Sequence, residues 1–182
     1  MTDRPTPAST PVPSAMPVNR GELDQLVRGD HGHPHAVLGP HVYEGAVTVR
    51  VLKPLAERVV VRHAAGETAL EHEHGGIWVG VVPAGTDESV PDYRVVVDYG
   101  HGELVLDDPY RFLPTLGEMD LHLVNEGRHE NLWQVLGARV HHYDVPGGEP
   151  ISGTSFAVWA PSARAVRIKG DFNSWDGREH PM

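Results

Sequence analysis

The sequence predicts a mostly β protein: a small antiparallel immunoglobulin-like β-sandwich with short helices, followed by the first strands of a second, incomplete β-sandwich. Two observations carry this prediction. Residues 46–106 alternate apolar and polar positions with a period of two between regular turn signals, which is typical of a sandwich. Residues 153–182 begin a similar pattern that covers only two strands.

Composition and charge narrow the class of protein. Among the 182 residues, 40% are hydrophobic and 22% charged, as in ordinary globular domains. A formal net charge of -10 disfavours nucleic acid or an anionic membrane surface as a partner. The sequence has no cysteine, which excludes thiolate metal sites and disulfides, and it shows neither a signal peptide nor a membrane span. We therefore expect a soluble cytoplasmic protein.

The first residues divide into a tail and a helix. Residues 1–18 are rich in Pro, Ser and Thr and predict a disordered tail. Asn19, with Glu22 three residues later, predicts a helix start, and Gly29 predicts its end. Three apolar residues at helical spacing would form its buried face: Leu23, Leu26 and Val27. The following stretch to residue 41 is punctuated by Gly and Pro and predicts a loop.

The sandwich is predicted over residues 19–106, with its strands after residue 46. Within each strand the apolar residues share one face: Val47, Val49 and Val51; Val59 and Val61; Ile77, Val79 and Val81; Tyr93, Val95, Val97 and Tyr99; Leu104 and Leu106. Gly- and Pro-containing turns separate these strands, which favours antiparallel neighbours.

A helical connector is predicted over residues 107–142, and a linker over residues 143–152. Thr115 and Glu118 form a predicted capping box for a helix that ends at Gly127. A second short helix is predicted to end at Gly137.

The stretch 153–182 predicts an incomplete module. Alternation around Phe156 and again at residues 166–169 predicts two strands, and Phe156 and Trp159 are interpreted as core residues. Two strands do not form an independently stable sheet. Each large apolar side chain left without a partner sheet forgoes roughly 1.5–3 kcal/mol of burial. We therefore expect a chain that is truncated within this module.

Three blocks of sequence resemble one family. They are HPHAVLGPH at residues 33–41, the stretch from DDPYRFLP to VLGAR at residues 107–139, and GTSFAVWAPSARAVRIKGDFNSWDGREHPM at residues 153–182. Together and in this order they resemble the N-terminal region of bacterial 1,4-α-glucan (glycogen) branching enzymes, members of the α-amylase superfamily. One departure is Arg139, where many members have His.

The resemblance implies a role for each part of the chain and of the parent enzyme. Residues 20–106 would be the extra N-terminal sandwich of these enzymes, and the third block would open the isoamylase-type glucan-binding module that precedes a (β/α)₈ catalytic barrel. The barrel uses retaining carboxylate chemistry to form α-1,6 branches from transferred α-1,4-glucan segments. All its catalytic residues would lie beyond Met182, so this chain would be inactive alone. Its expected partners are α-glucan chains and the missing barrel. The alternative is a stand-alone glucan-binding or regulatory module.

The resemblance also implies a candidate sugar contact in the turn GDFNSWD. Trp175 would offer a flat aromatic surface to the apolar face of a sugar, with Asn173 as a polar neighbour. The competing interpretation is that Trp175 packs under the turn or against the missing barrel.

Other polar clusters predict no chemistry. Six histidines lie in loops or alternate along strands and do not specify a metal geometry: His31, His33, His35, His41, His72 and His74. Adjacent Asp107 and Asp108 would point in opposite directions, and Asp108-Pro109 predicts a turn. We expect no metal, no cofactor and no catalytic residue in this chain.

Overall fold

A computed structural model describes residues 13–85, 89–144 and 150–182 of the chain. It divides into two compact units, one formed by residues up to Phe112 together with 165–182, the other by residues 113–164. All paired strands of the described residues are antiparallel, and the helices are short. The predicted mostly β fold class is confirmed. The segment 165–182, predicted as part of the second module, lies in the same unit as the first sandwich.

The first sandwich consists of eight strands in two four-stranded sheets. They are β1 (Gly39–Tyr43), β2 (Ala46–Leu52), β3 (Arg58–His63), β4 (Gly66–Ala69), β5 (Glu71–His74), β6 (Ile77–Pro83), β7 (Tyr93–Asp98) and β8 (Glu103–Leu106). One sheet has the order β1-β2-β6-β5 and the other β4-β3-β7-β8. Successive hairpins thus alternate between the sheets.

The core lies between the two sheets. The predicted inward faces of β2, β3 and β7 are confirmed, since their members are almost fully buried in one cluster: Val47, Val49, Val51, Val59, Val61, Tyr93, Val95 and Val97. In β6, residues 77, 79 and 81 share a face as predicted, but Val82 and Trp78 on the opposite face contact this core.

Three strands were not predicted. β1 lies in the stretch predicted as a loop, and β4 and β5 carry mostly Gly, Glu, Thr and His. Each is an edge strand of its sheet. Their position in the sheet comes from pairing with a longer neighbour, because their own residues lack apolar alternation.

Helix α1 (Arg20–Arg28) is confirmed with its predicted ends. The Asn19 side chain accepts a hydrogen bond from Glu22 N at 3.0 Å, and Gly29 adopts a left-handed φ of 76°. The helix buries Leu23 and Leu26 in a second cluster with residues that include Leu52 and Ile77. This cluster covers the face of β2 and β6 that points away from the central core.

The predicted tail is in part bound to the sandwich. Residues 1–12 lie outside the described residues, but Met16 N donates to Thr48 Oγ1 at 2.8 Å and Arg50 Nη2 donates to Met16 O at 2.6 Å. Residues 13–18 therefore contact the outward face of β2, which differs from the predicted tail. With α1 they explain why all seven residues of β2 are buried.

The second unit contains two helices and a hairpin: α2 (Glu118–Asn125), α3 (Leu132–Val135), β9 (Gly137–Tyr143) and β10 (Ile151–Ala157). The predicted Thr115 cap is wrong, since the helix is capped at Gly117, whose N–H donates to Asp120 Oδ2 at 3.3 Å. The predicted helical connector ends in strand β9, and part of the predicted linker, 145–149, lies outside the described residues. No helix of the described ranges is long and apolar enough to cross a membrane.

Two further predictions in 153–182 are corrected. Residues 166–169 do not form a strand and contribute one isolated bridge, between Arg167 and Pro181. The interpretation of Phe156 and Trp159 as core residues is wrong, because 39% and 55% of their surfaces are exposed. The hairpin β9–β10 has only two strands, and pairing alone does not bury side chains.

Candidate functional site

The predicted site residues lie in one tight turn, residues 170–176, which we call the GDFNSWD turn. A short 3₁₀ helix, Asp171–Asn173, opens it, and Ser174 and Trp175 follow with left-handed φ values of 51° and 59°. Such values are uncommon for residues other than glycine, so the surrounding bonds must hold them. The turn brings Asn173 and Trp175 into the same small structure.

Asn173 organises the turn from inside. Its Oδ1 accepts from Gly170 N at 2.9 Å, while its Nδ2 donates to Ile168 O at 2.9 Å and lies 3.1 Å from His180 Nδ1. Both amide hydrogens are thereby used, and Oδ1 keeps one lone pair for a further donor. Asn173 is thus a turn-forming residue with capacity for a single additional hydrogen bond.

Trp175 is held by its backbone and its indole nitrogen. Its N–H donates to Gly170 O at 2.9 Å, and its Nε1 donates to Asp171 Oδ1 at 2.9 Å. Its surface is nevertheless 64% exposed, so the interpretation of Trp175 as a packed residue under the turn has no support in the described residues. An exposed indole that is fixed through its nitrogen is suited to stacking.

Asp176, the last residue of the turn, forms an ion pair with Arg178. Asp176 Oδ1 accepts from Arg178 N at 3.1 Å and from Arg178 Nε at 2.9 Å. The hydrogen bonds from the Arg178 side chain, and then from its backbone, lower the pKa of the Asp176 carboxyl to about 2. The carboxylate therefore stays charged over the whole physiological range.

Residues just after the turn bind the first sandwich. Glu179 Oε2 accepts from Lys53 Nζ at 2.6 Å, and Glu179 Oε1 accepts from the Tyr99 hydroxyl at 2.7 Å. The Tyr110 hydroxyl donates to Pro181 O at 2.7 Å. Sequence reasoning missed these contacts because they join residues 71 to 126 positions apart and no local pattern encodes them.

The environment of these contacts is partly dehydrated. The side chains of Lys53 and Glu179 are only 9% and 18% exposed. Burial, followed by the hydrogen bond and charge of Glu179, raises the pKa of the Tyr99 hydroxyl, so it remains a donor. Burial, and then the charge of Lys53, lowers the pKa of His180, which keeps its Nδ1 available to Asn173.

The other polar clusters are structural. Asp108 is buried, accepts from the Tyr93 hydroxyl at 2.7 Å and caps the 3₁₀ helix Pro109–Arg111 through Tyr110 N at 3.0 Å. Asp107 pairs separately with Arg94 at 2.9 Å, so the predicted turn is confirmed and the two carboxylates do not face one substrate. Within the described ranges, no three His, Asp or Glu side chains are grouped to hold a metal ion.

The two-sheet architecture first defines the class: a small antiparallel β-sandwich protein with a connected segment that carries an exposed turn. The model of the family "alpha-1,4-glucan branching enzyme GlgB, N-terminal domain" matches residues 19–110, and the model of "Carbohydrate-binding module 48 (Isoamylase N-terminal domain)" matches residues 135–182. The chain belongs to the 1,4-alpha-glucan branching enzyme GlgB family, through its N-terminal domain.

Curated relatives agree with this assignment. The chain is 51% identical to the 1,4-alpha-glucan branching enzyme GlgB of Thermobifida fusca, covering 100% of this chain and 26% of the relative. For the enzyme of Frankia casuarinae the identity is 52%, over 88% of this chain and 20% of the relative. For that of Rhodococcus jostii it is 46%, over 93% and 23%. The chain thus spans about a quarter or less of the length of these relatives.

Proposed function

We propose that this chain is a non-catalytic, glucan-contacting part of a cytoplasmic 1,4-α-glucan branching enzyme. The parent enzyme transfers α-1,4-glucan segments and creates α-1,6 branches in glycogen, using a catalytic barrel that follows these modules. The chain itself contacts α-glucan and places it relative to that barrel. Family membership supports this proposal, and no residue of the chain is given a catalytic role.

The observation that carries the proposal is that Trp175 is exposed and yet held by a hydrogen bond. The residue is 64% exposed, while its Nε1 donates to Asp171 Oδ1 at 2.9 Å. A ring held in this way loses little conformational entropy when a sugar stacks on it. Asn173 Oδ1, with its remaining lone pair, lies in the same turn and would accept from one sugar hydroxyl.

Retardation in native gels that contain glycogen tests the glucan contact. We expect the wild-type chain to be retarded, Trp175→Ala to migrate freely, and Trp175→Phe, which keeps a ring, to be retarded partially. Because α-glucan is uncharged, the retardation should not change between low and high salt. Equal mobility of wild type and Trp175→Ala would overturn the proposal.

Two further measurements test the relation to a catalytic barrel. Iodine staining of amylose after incubation with this chain should show no branching, and any measurable activity would contradict the non-catalytic assignment. The reading frame after codon 182 should continue into a barrel with acidic active-site motifs. A stop codon at that point, together with a stable product that binds glycogen, would favour a stand-alone glucan-binding or regulatory module.

A further inference from the structure

The GDFNSWD turn is connected to the first sandwich by a short chain of contacts. Glu179 binds Lys53 and Tyr99, and the next residue, His180, lies 3.1 Å from the Asn173 amide. Asn173 in turn fixes Gly170, whose carbonyl accepts from Trp175 N at 2.9 Å. A displacement at Glu179 would therefore be transmitted to Trp175 through three residues.

We propose that Glu179 is a positioning residue: it fixes the GDFNSWD turn to the first sandwich and so sets the affinity of Trp175 for α-glucan without touching the sugar. This inference rests on the proposed function. It assigns a task to the first sandwich, in which the described residues show no cluster of exposed aromatic side chains.

Among the described residues, three anchors hold the segment 165–182, and Glu179 is the one that forms an ion pair. Tyr110 donates to Pro181 O, and Arg167 Nη2 donates to Arg28 O at the end of α1. Both of these end on a neutral main-chain carbonyl, so neither pairs two opposite charges. Glu179 instead accepts from the Lys53 ammonium on one oxygen and from the Tyr99 hydroxyl on the other, in a partly dehydrated environment. Two bonds on separate oxygens, one of them charge-assisted, restrict its position more than either of the other anchors does.

Lys53 depends on Glu179 as its ion-pair partner. Lys53 is 7% exposed, and a buried ammonium needs a paired anion. Removal of the Glu179 charge leaves Lys53 without that anion, so the segment is expected to shift until water reaches the ammonium. We expect the GDFNSWD turn to lose its fixed position first, because His180, the residue after Glu179, holds Asn173.

The test uses the full chain with four variants and one control variant. Glu179→Gln removes the charge and keeps the size, Lys53→Met removes the cation, and the two are also combined. Tyr99→Phe removes one hydroxyl and serves as the mildest change should the others fold poorly. Glu103→Gln is the matched control, since its carboxylate pairs with Arg58 at 3.2 Å on an exposed part of the sandwich.

Two readouts separate positioning from general stability. Titration with maltoheptaose should give a dissociation constant about two- to tenfold weaker in Glu179→Gln and Lys53→Met, corresponding to one side chain that must be ordered anew on binding. The double variant should be no weaker than either single one. In ¹⁵N spectra of the free chain, the Trp175 indole signal should broaden or move. The Trp78 signal, from an indole that donates to Lys53 O at 3.2 Å within the sandwich, should remain dispersed.

The outcomes distinguish this inference from the proposed function. If Trp175→Ala abolishes binding while Glu179→Gln, Lys53→Met and Tyr99→Phe bind like Glu103→Gln, the positioning role is overturned and the proposed function stands. If Trp175→Ala binds like wild type, the proposed function fails, and the positioning role in glucan binding fails with it. An unchanged Trp175 indole signal in Glu179→Gln would overturn the inference whatever the binding result.

Discussion

The first sandwich and the hairpin β9–β10 are built from the same kind of element but differ in burial. In β2 all seven residues are buried, whereas five of the seven residues of β9 are exposed. Both strands are fully paired with an antiparallel neighbour. The difference arises because β2 is covered on one face by the second sheet and on the other by α1 and residues 13–18.

This difference shows where stability in this chain comes from. Strand pairing satisfies backbone hydrogen bonds in both regions, but burial of apolar surface needs a second layer. We therefore expect substitutions in the first sandwich unit to cost much more than matched substitutions in the second unit.

The largest effect is expected for a helix residue of the sandwich unit. Leu26 in α1 is 0% exposed, and Leu26→Ala should lower the free energy of unfolding by about 2–5 kcal/mol. The matched variant Leu121→Ala in α2, where Leu121 is 46% exposed, should change it by less than about 0.5 kcal/mol. Urea denaturation of both variants measures the difference, and equal losses would contradict the comparison.

The second effect concerns two ion pairs with different burial. Glu73 makes a bidentate pair with Arg50, whose side chain is 1% exposed. Glu73→Gln leaves that guanidinium charge buried and should cost about 2–3 kcal/mol. Glu103→Gln, in a pair with Arg58 that is about half exposed, should cost less than about 1 kcal/mol. The same denaturation assay applies, and a small cost for Glu73→Gln would show that Arg50 is solvated.

The third effect compares two glycines that follow helices. Gly29 and Gly127 both have positive φ, at 76° and 67°, so alanine costs about 1 kcal/mol at either position. At Gly29 a Cβ would also lie 2.5 Å from Arg167 Nε, while at Gly127 nothing lies within 4 Å. Gly29→Ala should therefore cost about 0.5 kcal/mol more than Gly127→Ala, because the flexible Arg167 side chain must give up its exposed bond to Arg28 O. Identical costs would show that Arg167 does not bind there in solution.

The smallest effect is a pH dependence of the sandwich unit. The pKa of His180 is lowered below 6.5 by burial and by Lys53, against the opposing charge of Glu179; Asn173 and Phe172 complete its surroundings. The unfolded chain then binds a proton more readily than the folded chain. The contribution of His180 is complete above about pH 6.5 and is lost as pH falls towards the lowered folded pKa.

Urea midpoints between pH 7.5 and 5 measure this dependence. His180→Gln should reduce the loss of stability on acidification, with the remainder due to His35 and His41, whose pKa values are also lowered by burial. A variant with an unchanged pH profile would show that His180 titrates as a solvated residue.

Local sequence patterns were sufficient to predict the elements in which apolar residues recur at regular spacing. The inward residues of β2, β3 and β7 and both ends of α1 follow from periodicity and capping. The edge strands β1, β4 and β5 were missed because neighbouring strands, not their own residues, determine them. The region 166–169 was predicted as a strand because it alternates, but in the structure it forms one isolated bridge, and Arg167 contacts the end of α1.

The candidate site was predictable only in part. The GDFNSWD turn identifies Trp175 and Asn173 by resemblance, and the structure brings them together. The sequence of the turn does not identify Lys53 or Tyr99, because their bonds to Glu179 depend on how the chain returns to the sandwich. Such long-range pairs have no signature in a single sequence.

The most direct test compares three exposed tryptophans in one glycogen gel. Trp175, Trp133 and Trp159 are 64%, 72% and 55% exposed, and only the first lies in the GDFNSWD turn. We predict that Trp175→Ala abolishes retardation by glycogen, whereas Trp133→Ala and Trp159→Ala migrate like wild type. Retention of glycogen binding in Trp175→Ala would contradict the account, whatever the other two variants do.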